Sequence, residues 1–302
     1  GRAREKYQLL IDGGVYVGGR RTSPVEPGAE SGKWRDGYVQ AVDSRGEVRW
    51  ARAFGKPANA DVHDVAYRDG AVYVAGESWG RWSPSASPTK GDAFDSVVSK
   101  LGEDGDSIWD RQFGPEEADV ARAVAVAEDG SVYVGGQTYG GFRAVSASGG
   151  SDGYLVKFSP DGDIQWVDIF GGSEWDAIRD VIVAEDRIHA VGVAGPGFEG
   201  RDVGGDFDGL VVTYTPAGER VDTRLIDSGG SDTCEAVDVG PEGDLVVLGR
   251  STRAFPDTTY NGGETDLYVA RLPGTLEQKW VTLEGTPKLE GEDDVVWRKD
   301  GS

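Results

Sequence analysis

DGYLVKFSPDGDIQW, residues 152–166, is a sequence that the chain repeats from end to end with small changes. Its opening aspartate returns at intervals of 56 to 59 residues, at Asp36, Asp95, Asp208 and Asp266. The glycine of its turn returns at Gly46, Gly105, Gly218 and Gly274. Each copy reads as two short strands joined by a tight turn. Five copies therefore predict five β-hairpins.

A second hairpin precedes each copy. In the third repeat, residues 119–136 form two β-rich runs joined at Asp129-Gly130, and Asp-Gly between such runs is a strong hairpin signal. Similar pairs join the runs of other repeats, at Asp12-Gly13, Asp69-Gly70 and Glu242-Gly243. Each repeat therefore carries four strands, which we call first to fourth. No segment has sustained helical periodicity, so the predicted fold class is all-β.

The second strand of each repeat is apolar at almost every position, as in Val132-Tyr133-Val134. Such runs suit strands that are buried on both faces. Four-stranded units that pack around an axis form a β-propeller. We predict a β-propeller of four-stranded antiparallel blades, five in number. A solenoid is the alternative architecture, but solenoid repeats are usually shorter.

The expected domain organisation is a single β-propeller over residues 1–302. Its blades are predicted at about residues 6–55, 56–114, 115–171, 172–228 and 229–285. A surplus strand is predicted within residues 292–302, after the fifth blade. This strand leaves open the alternative that the chain is part of a six- or seven-bladed propeller.

These repeats resemble the β-propeller repeat of secreted and surface bacterial and archaeal proteins. The resemblance rests on the Val-Tyr-Val-Gly-Gly second strand at 132–136 and on the hairpin at 152–166, and it covers almost the whole chain. It implies a β-propeller fold and an extracellular or cell-surface location, with the leader absent from this chain. The fourth repeat departs from the pattern, because Asp222 stands where the other copies close with Trp.

The composition limits the partners. The formal charge of −22 repels phosphate, so neither nucleic acid nor an anionic membrane surface is an expected partner. No apolar run reaches the ~18 residues that a membrane span needs, so no membrane insertion is expected. The nine Lys against 22 Arg, in an Asp-rich chain, are typical of a halophilic surface, although a merely acidic secreted protein is the alternative. Cys234 is the sole cysteine, which excludes an intrachain disulfide.

The loops between second and third strands differ from repeat to repeat, whereas the hairpin turns are uniform. Variable loops on a rigid scaffold commonly carry binding sites. These loops, at 20–35, 77–94, 137–151, 193–207 and 250–265, define what we call the variable-loop face. Its candidate ligand-binding residues are aromatic, namely Trp34, Trp79, Trp82, Tyr139, Phe142 and Tyr260. A protein or a glycan is the expected partner, unless these rings fold back and cap the blades.

Aspartates at the start of first strands are weak candidates for a metal site. Asp61, Asp119, Asp176 and Asp232 recur once per repeat, and a ring of carboxylates can hold Ca²⁺. The structural alternative is that each aspartate accepts backbone N–H groups and fixes a turn. No cofactor is expected other than the calcium that this pattern of aspartates allows.

The sequence carries no nucleophile elbow, no His-Glu zinc motif and no phosphate-binding loop. We therefore expect a non-catalytic secreted or cell-surface scaffold for binding or display through the variable-loop face. The alternative is a glycan-active hydrolase or lyase with carboxylates at the channel mouth. Residues 42–50 are also similar to the blade motif of quinoprotein dehydrogenases, but the paired cysteines of that family are missing.

The tryptophan that closes the fourth strand gives a further expectation. It recurs at Trp50, Trp109, Trp166 and Trp280. An outer strand is half solvated, so this ring should lie over the seam between neighbouring blades, with its indole N–H bonded to a partner or to water.

Overall fold

The structure is a computed structural model. It describes residues 5–9, 14–21, 35–55, 59–86, 93–142, 147–240, 243–260, 262–272 and 280–284. Trp34, the turn at Gly274 and the surplus strand predicted within 292–302 lie outside the described residues, and so does the side chain of Trp280.

In the part of the chain that the structure describes, twenty strands form five sheets of four. The first sheet contains β1 (Glu5–Leu9), β2 (Val15–Arg21), β3 (Asp36–Val42) and β4 (Val48–Phe54). The second contains β5 (Ala60–Arg68), β6 (Ala71–Ser78), β7 (Asp95–Gly102) and β8 (Ser107–Phe113). The third contains β9 (Asp119–Val126), β10 (Val132–Thr138), β11 (Asp152–Phe158) and β12 (Ile164–Phe170).

The fourth sheet contains β13 (Ala177–Ala184), β14 (Arg187–Ala194), β15 (Asp208–Tyr214) and β16 (Arg220–Ile226). The fifth contains β17 (Asp232–Val239), β18 (Leu245–Ser251), β19 (Asp266–Leu272) and β20 (Trp280–Glu284). In every sheet, strands that follow each other along the chain are neighbours. The helical structure among the described residues is one short 3-10 turn, Phe198–Gly200. The predicted fold class, an all-β β-propeller of four-stranded antiparallel sheets, is confirmed.

The chain forms two compact units. The first comprises residues 1–146 and 156–167, and the second comprises residues 147–155 and 168–302. In the first unit the core contains Tyr16, Val39, Phe54, Val74, Trp82 and Leu101. In the second unit it contains Val191, Val211, Cys234, Val247 and Tyr268. The single domain over residues 1–302 stays a prediction.

Four of the first strands carry a β-bulge at the same place. The register against the second strand shifts around His63, Arg122, Arg179 and Glu235. A bulge leaves one residue unpaired and re-aims its side chain. The polar residue at the bulge is thereby placed outside the regular alternation of the sheet.

An aspartate beside the bulge joins neighbouring first strands in two places. Asp64 accepts the Val124 amide at 2.8 Å, and Asp180 accepts the Val237 amide at 2.9 Å. Each bond runs from one sheet to the next within one compact unit. These side chains satisfy strand amides, which would cost free energy if they were buried without a partner.

Two of the repeated tryptophans, Trp50 and Trp109, lie as predicted. The Trp50 indole Nε1 donates to the Glu103 carbonyl at 2.7 Å, and the Trp109 Nε1 donates to the Pro160 carbonyl at 2.9 Å. Both acceptors belong to the turn between third and fourth strands of the next sheet. The ring therefore covers the seam between two sheets and bonds its N–H there. In the fourth sheet, Asp222 instead accepts Arg224 Nε at 2.8 Å.

Candidate functional site

The aromatic candidates divide by exposure. Trp79 and Tyr139 are about half exposed, at 51% and 47%. Trp82 and Phe142 are buried in the first unit. Tyr260 is partly buried against the core of the second unit, and its hydroxyl donates to the Gly263 carbonyl at 3.2 Å. Of the five that the structure describes, Trp79 and Tyr139 thus present the most open ring surface.

Trp79 and Tyr139 occupy equivalent positions in neighbouring repeats. Each lies three residues after the repeated glycine of a second strand, Gly76 or Gly136, and directly follows the last residue of that strand. The Trp79 amide donates to the Asn59 carbonyl at 2.8 Å, and the Tyr139 amide donates to the Ala118 carbonyl at 3.0 Å. The backbone is therefore fixed at both positions while the ring stays accessible.

Trp82 faces inward for a local reason. Its ring stacks on Phe54 with centroids 4.2 Å apart, and its Nε1 donates to the Ser99 hydroxyl at 2.7 Å. Its amide also donates to the Gln112 side chain at 3.0 Å. The ring caps the first and second sheets and is closed to a ligand in this structure.

A repeated backbone bond places the aspartates of the variable-loop face. The amides of Asp119, Asp176 and Asp232 donate, each at 2.8 Å, to the residue that precedes the opening aspartate of a third strand. Two aspartates of successive repeats are thereby brought side by side. The pairs are Asp95 with Asp119, Asp152 with Asp176, and Asp208 with Asp232.

These buried carboxyl groups differ in how they are satisfied. Asp176 accepts two backbone amides, from Gly172 at 2.7 Å and Gly195 at 2.8 Å, although burial still raises its pKa to about 6. Neither oxygen of Asp119 is in hydrogen-bond geometry with a donor. The Thr138 hydroxyl lies close enough to lower the pKa of Asp119, but it donates to the Gly140 carbonyl at 2.6 Å. Burial raises the pKa of Asp119 to about 8. The bonds of Asp176 are those of a structural aspartate.

Asp61 does not share the position of the other three metal candidates. Ala60 is the counterpart of Asp119 and Asp232, because each pairs with the second residue after the repeated glycine. Asp61 instead accepts Arg20 Nη1 at 3.2 Å. The one-residue shift turns its side chain to the other face of the strand.

A polar cavity of about 230 Å³ lies at the variable-loop face of the second unit. It is lined by Arg179, Ser231, Thr233, Glu235, Arg250, Thr252 and Thr265. The sequence analysis missed these residues. Arg179 and Glu235 are the bulged residues of β13 and β17. A charged residue three positions after the first-strand aspartate was the signal that could have found them.

The charges of this cavity are unevenly paired. Glu235 forms an ion pair with Arg179, and its second oxygen accepts the Thr233 hydroxyl at 2.7 Å. By contrast, Arg250 Nε and Nη2 and the Thr265 hydroxyl are buried without a hydrogen-bond partner. A guanidinium offers these two N–H groups as a parallel pair that matches a carboxylate. The lining of the cavity therefore includes one guanidinium with unsatisfied donors, whereas its carboxylate is already engaged.

Among the described residues, no helix is long and apolar enough to cross a membrane.

No family model matches the chain. The chain is 26% identical, over 328 aligned residues, to the regulatory protein FlaEY of Caulobacter vibrioides. That alignment covers 86% of this chain and 33% of the relative, so the chain spans about a third of that protein's length.

Two solved structures are similar at low identity. The Pan2 WD40 domain of Neurospora crassa has a TM-score of 0.40 and 10% identity, covering 95% of this chain and 80% of that one. A GH43 endo-arabinanase from Bacillus licheniformis has a TM-score of 0.42 and 10% identity, covering 91% and 96%. At these scores the likeness does not extend to a site or an activity.

Proposed function

We propose that this protein is a non-catalytic binding module that takes a carboxylate-bearing glycan at the polar cavity of its variable-loop face. The observation that carries the proposal is the guanidinium of Arg250, which lines the cavity and has two donors without a partner. Leaving a buried charged donor unsatisfied costs a few kcal/mol or more, so a ligand oxygen at this point is favoured.

The remaining lining suits a sugar. Ser231, Thr233, Thr252 and Thr265 contribute hydroxyl groups, which both donate and accept hydrogen bonds. The volume of about 230 Å³ lies below the roughly 300–1,000 Å³ of sites for drug-sized ligands. The cavity is therefore sized for one acidic monosaccharide unit of a longer chain. In the first unit, the exposed rings of Trp79 and Tyr139 offer apolar faces to neutral sugars.

Binding is favoured over hydrolysis by the state of Glu235. Glycoside hydrolysis requires two carboxyl groups about 5 to 9.5 Å apart, one of them free to transfer a proton. The lining of this cavity contributes one carboxylate, and that group is held by Arg179 and Thr233. The extracellular or cell-surface location belongs to the same proposal, because it rests on the resemblance of the repeat.

The test is a calorimetric titration with uronic-acid oligosaccharides and with neutral oligosaccharides of the same linkage. We expect the acidic ligands to bind. Arg250→Gln should lower their affinity by about 10- to 100-fold, because the substitution removes a hydrogen-bonded charge pair. The control is Arg45→Gln, which removes an equal charge at a hairpin turn where the side chain is 76% exposed.

The proposal fails if the acidic oligosaccharides do not bind, or if Arg250→Gln and Arg45→Gln bind them equally well. Release of reducing ends during the titration would instead support the hydrolase alternative.

A further inference from the structure

Three carboxylates lie close together in the second unit. The repeat pattern does not predict that these three residues form one group. Asp208 opens β15, Asp227 follows the last residue of β16, and Asp232 opens β17. One oxygen from each lies within 4.8 Å of the others. Asp208 and Asp232 are fully buried, while Asp227 is exposed to solvent. The cluster thus has a closed side and an open side.

Asp208 supplies a second observation that points to a ligand. Its side chain is 0% exposed, and neither of its oxygens is in hydrogen-bond geometry with a donor, although the backbone amide of Gly204 lies close enough to lower its pKa against the larger effect of burial. Asp232 is similar at one oxygen, since Oδ1 has no partner while Oδ2 accepts the amide and the hydroxyl of Ser228 at 2.7 and 2.8 Å. Burial of unpartnered carboxylate oxygens next to further negative charge is unfavourable unless a proton or a cation compensates the charge.

In two other repeats, a glycine occupies the position that Asp227 has in the fourth repeat. Gly114 and Gly171 follow a fourth strand as Asp227 does, and each also lies five residues before a first-strand aspartate. At Gly171 an added Cβ would lie 2.0 Å from Asp152 Oδ1 and 2.7 Å from Asp176 Oδ2. The glycine lets those carboxyl groups close on the backbone. In the fourth repeat, Asp227 replaces this glycine and adds a third carboxylate beside Asp208 and Asp232.

We propose that Asp208, Asp227 and Asp232 bind a Ca²⁺ ion. All the donors are carboxylate oxygens, the ligands of a hard cation, and there is no imidazole or thiol to favour zinc. Two oxygens that each lie about 2.4 Å from one Ca²⁺ ion can be as far apart as about 4.8 Å. The three carboxylate oxygens lie within that distance of one another. Mg²⁺ requires shorter and more regular contacts, and the open side at Asp227 leaves room for the water ligands of Ca²⁺.

The experiment is calorimetric titration of the whole chain with CaCl₂ after removal of metal by chelation, in a background of MgCl₂. Asp227→Gly places at 227 the residue that the chain itself uses at 114 and 171, so the variant is expected to fold. We expect one Ca²⁺ per chain in the wild type and a loss of affinity of about tenfold or more in Asp227→Gly, because ligand charge count tunes Ca²⁺ affinity.

Two controls separate this site from the general attraction of an acidic surface. Asp227→Asn and Asp186→Asn each remove one negative charge, but Asp186 lies on the exposed turn between β13 and β14. We expect Asp186→Asn to bind Ca²⁺ like the wild type and Asp227→Asn to resemble Asp227→Gly. Equal affinities of the two asparagine variants, no Ca²⁺ binding by the wild type, or full competition by Mg²⁺ would each overturn the proposal.

Discussion

Asp119 is a buried acid whose charged form the fold disfavours. Its side chain is 0% exposed and has no hydrogen-bond partner, and the carboxylate of Asp95 lies close enough to add repulsion. The pKa is therefore raised from an ordinary value to about 8, with burial as the main cause. The folded protein holds a proton at this group through a pH range in which the unfolded chain has lost it.

This shift predicts how stability changes with pH. Between about pH 4 and pH 8, the contribution of Asp119 to the free energy of unfolding should fall as pH rises, by at most about 1.4 kcal/mol per pH unit, since the folded state binds the extra proton. Asp119→Asn cannot ionise, so it should gain stability relative to the wild type across that range. Denaturant unfolding of both proteins at several pH values measures the difference.

The internal control is the lower end of the range. Below about pH 4 the aspartate is protonated in both states, so the two proteins should differ little there. Parallel pH profiles from pH 4 to pH 8 would contradict the buried, unpaired state of Asp119.

At the residue scale, the sequence shows which loops carry aromatic side chains, but it does not show whether each ring faces solvent or the core. Trp79 and Trp82 lie in the same variable loop and were equal candidates for ligand binding. The structure exposes the first and buries the second, because Trp82 finds Phe54 and Ser99 across two sheets. Such partners lie far away in sequence, and the local pattern does not identify them. The carboxylate cluster at Asp208 was missed for the same reason.

At the element scale, the turn between third and fourth strands has two tasks. Its glycine has a positive φ, +81° at Gly46 and +83° at Gly105, which an L side chain rarely adopts. At Gly105 the turn also receives the ring of Trp50, and an added Cβ would lie 2.7 Å from that ring. At Gly46 nothing lies within 4 Å of the same point.

A comparison of substitutions at the two glycines therefore distinguishes the cost of backbone strain from the cost of lost packing. Gly46→Ala should cost about 1 to 2 kcal/mol, the penalty of a left-handed conformation. Gly105→Ala should cost the same plus roughly 1 to 3 kcal/mol more, because the methyl group displaces the Trp50 ring and its bond to Glu103. Denaturant unfolding measures the loss of stability, and tryptophan fluorescence reports the displacement of the Trp50 ring. Equal losses in the two variants would show that Trp50 does not pack on the turn.

Most of the strands and turns could be predicted from the sequence. The Asp-Gly turns and the constant spacing predict five sets of four strands, and the structure has them. The bulges at Arg179 and Glu235 are harder to predict, because a bulge is a mismatch between two strands. The charged residue three positions after the first-strand aspartate marks the position but does not show that the register shifts there. The cavity that carries the proposed function is built on those two bulges.

At the scale of the whole molecule, negative charge is the dominant feature. The formal charge is −22, and several carboxyl groups lie side by side in buried pairs. Like charges destabilise a compact state more than an expanded one, since folding brings them together. Dissolved salt reduces the repulsion between exposed charges, as the Debye length falls from about 10 Å at 0.1 M to about 3 Å at 1 M.

We therefore expect the melting temperature to rise as KCl increases from low to molar concentration. The comparison should be made in chelator, so that cation binding at the Asp227 cluster does not contribute. It should also be repeated with a lysine-rich variant in which exposed aspartates such as Asp161 and Asp186 are replaced, because such a chain has less repulsion to screen. The rise should be smaller in that variant. If both proteins gain equally, KCl acts by strengthening apolar burial, and if neither gains, the charge does not limit the stability of the fold.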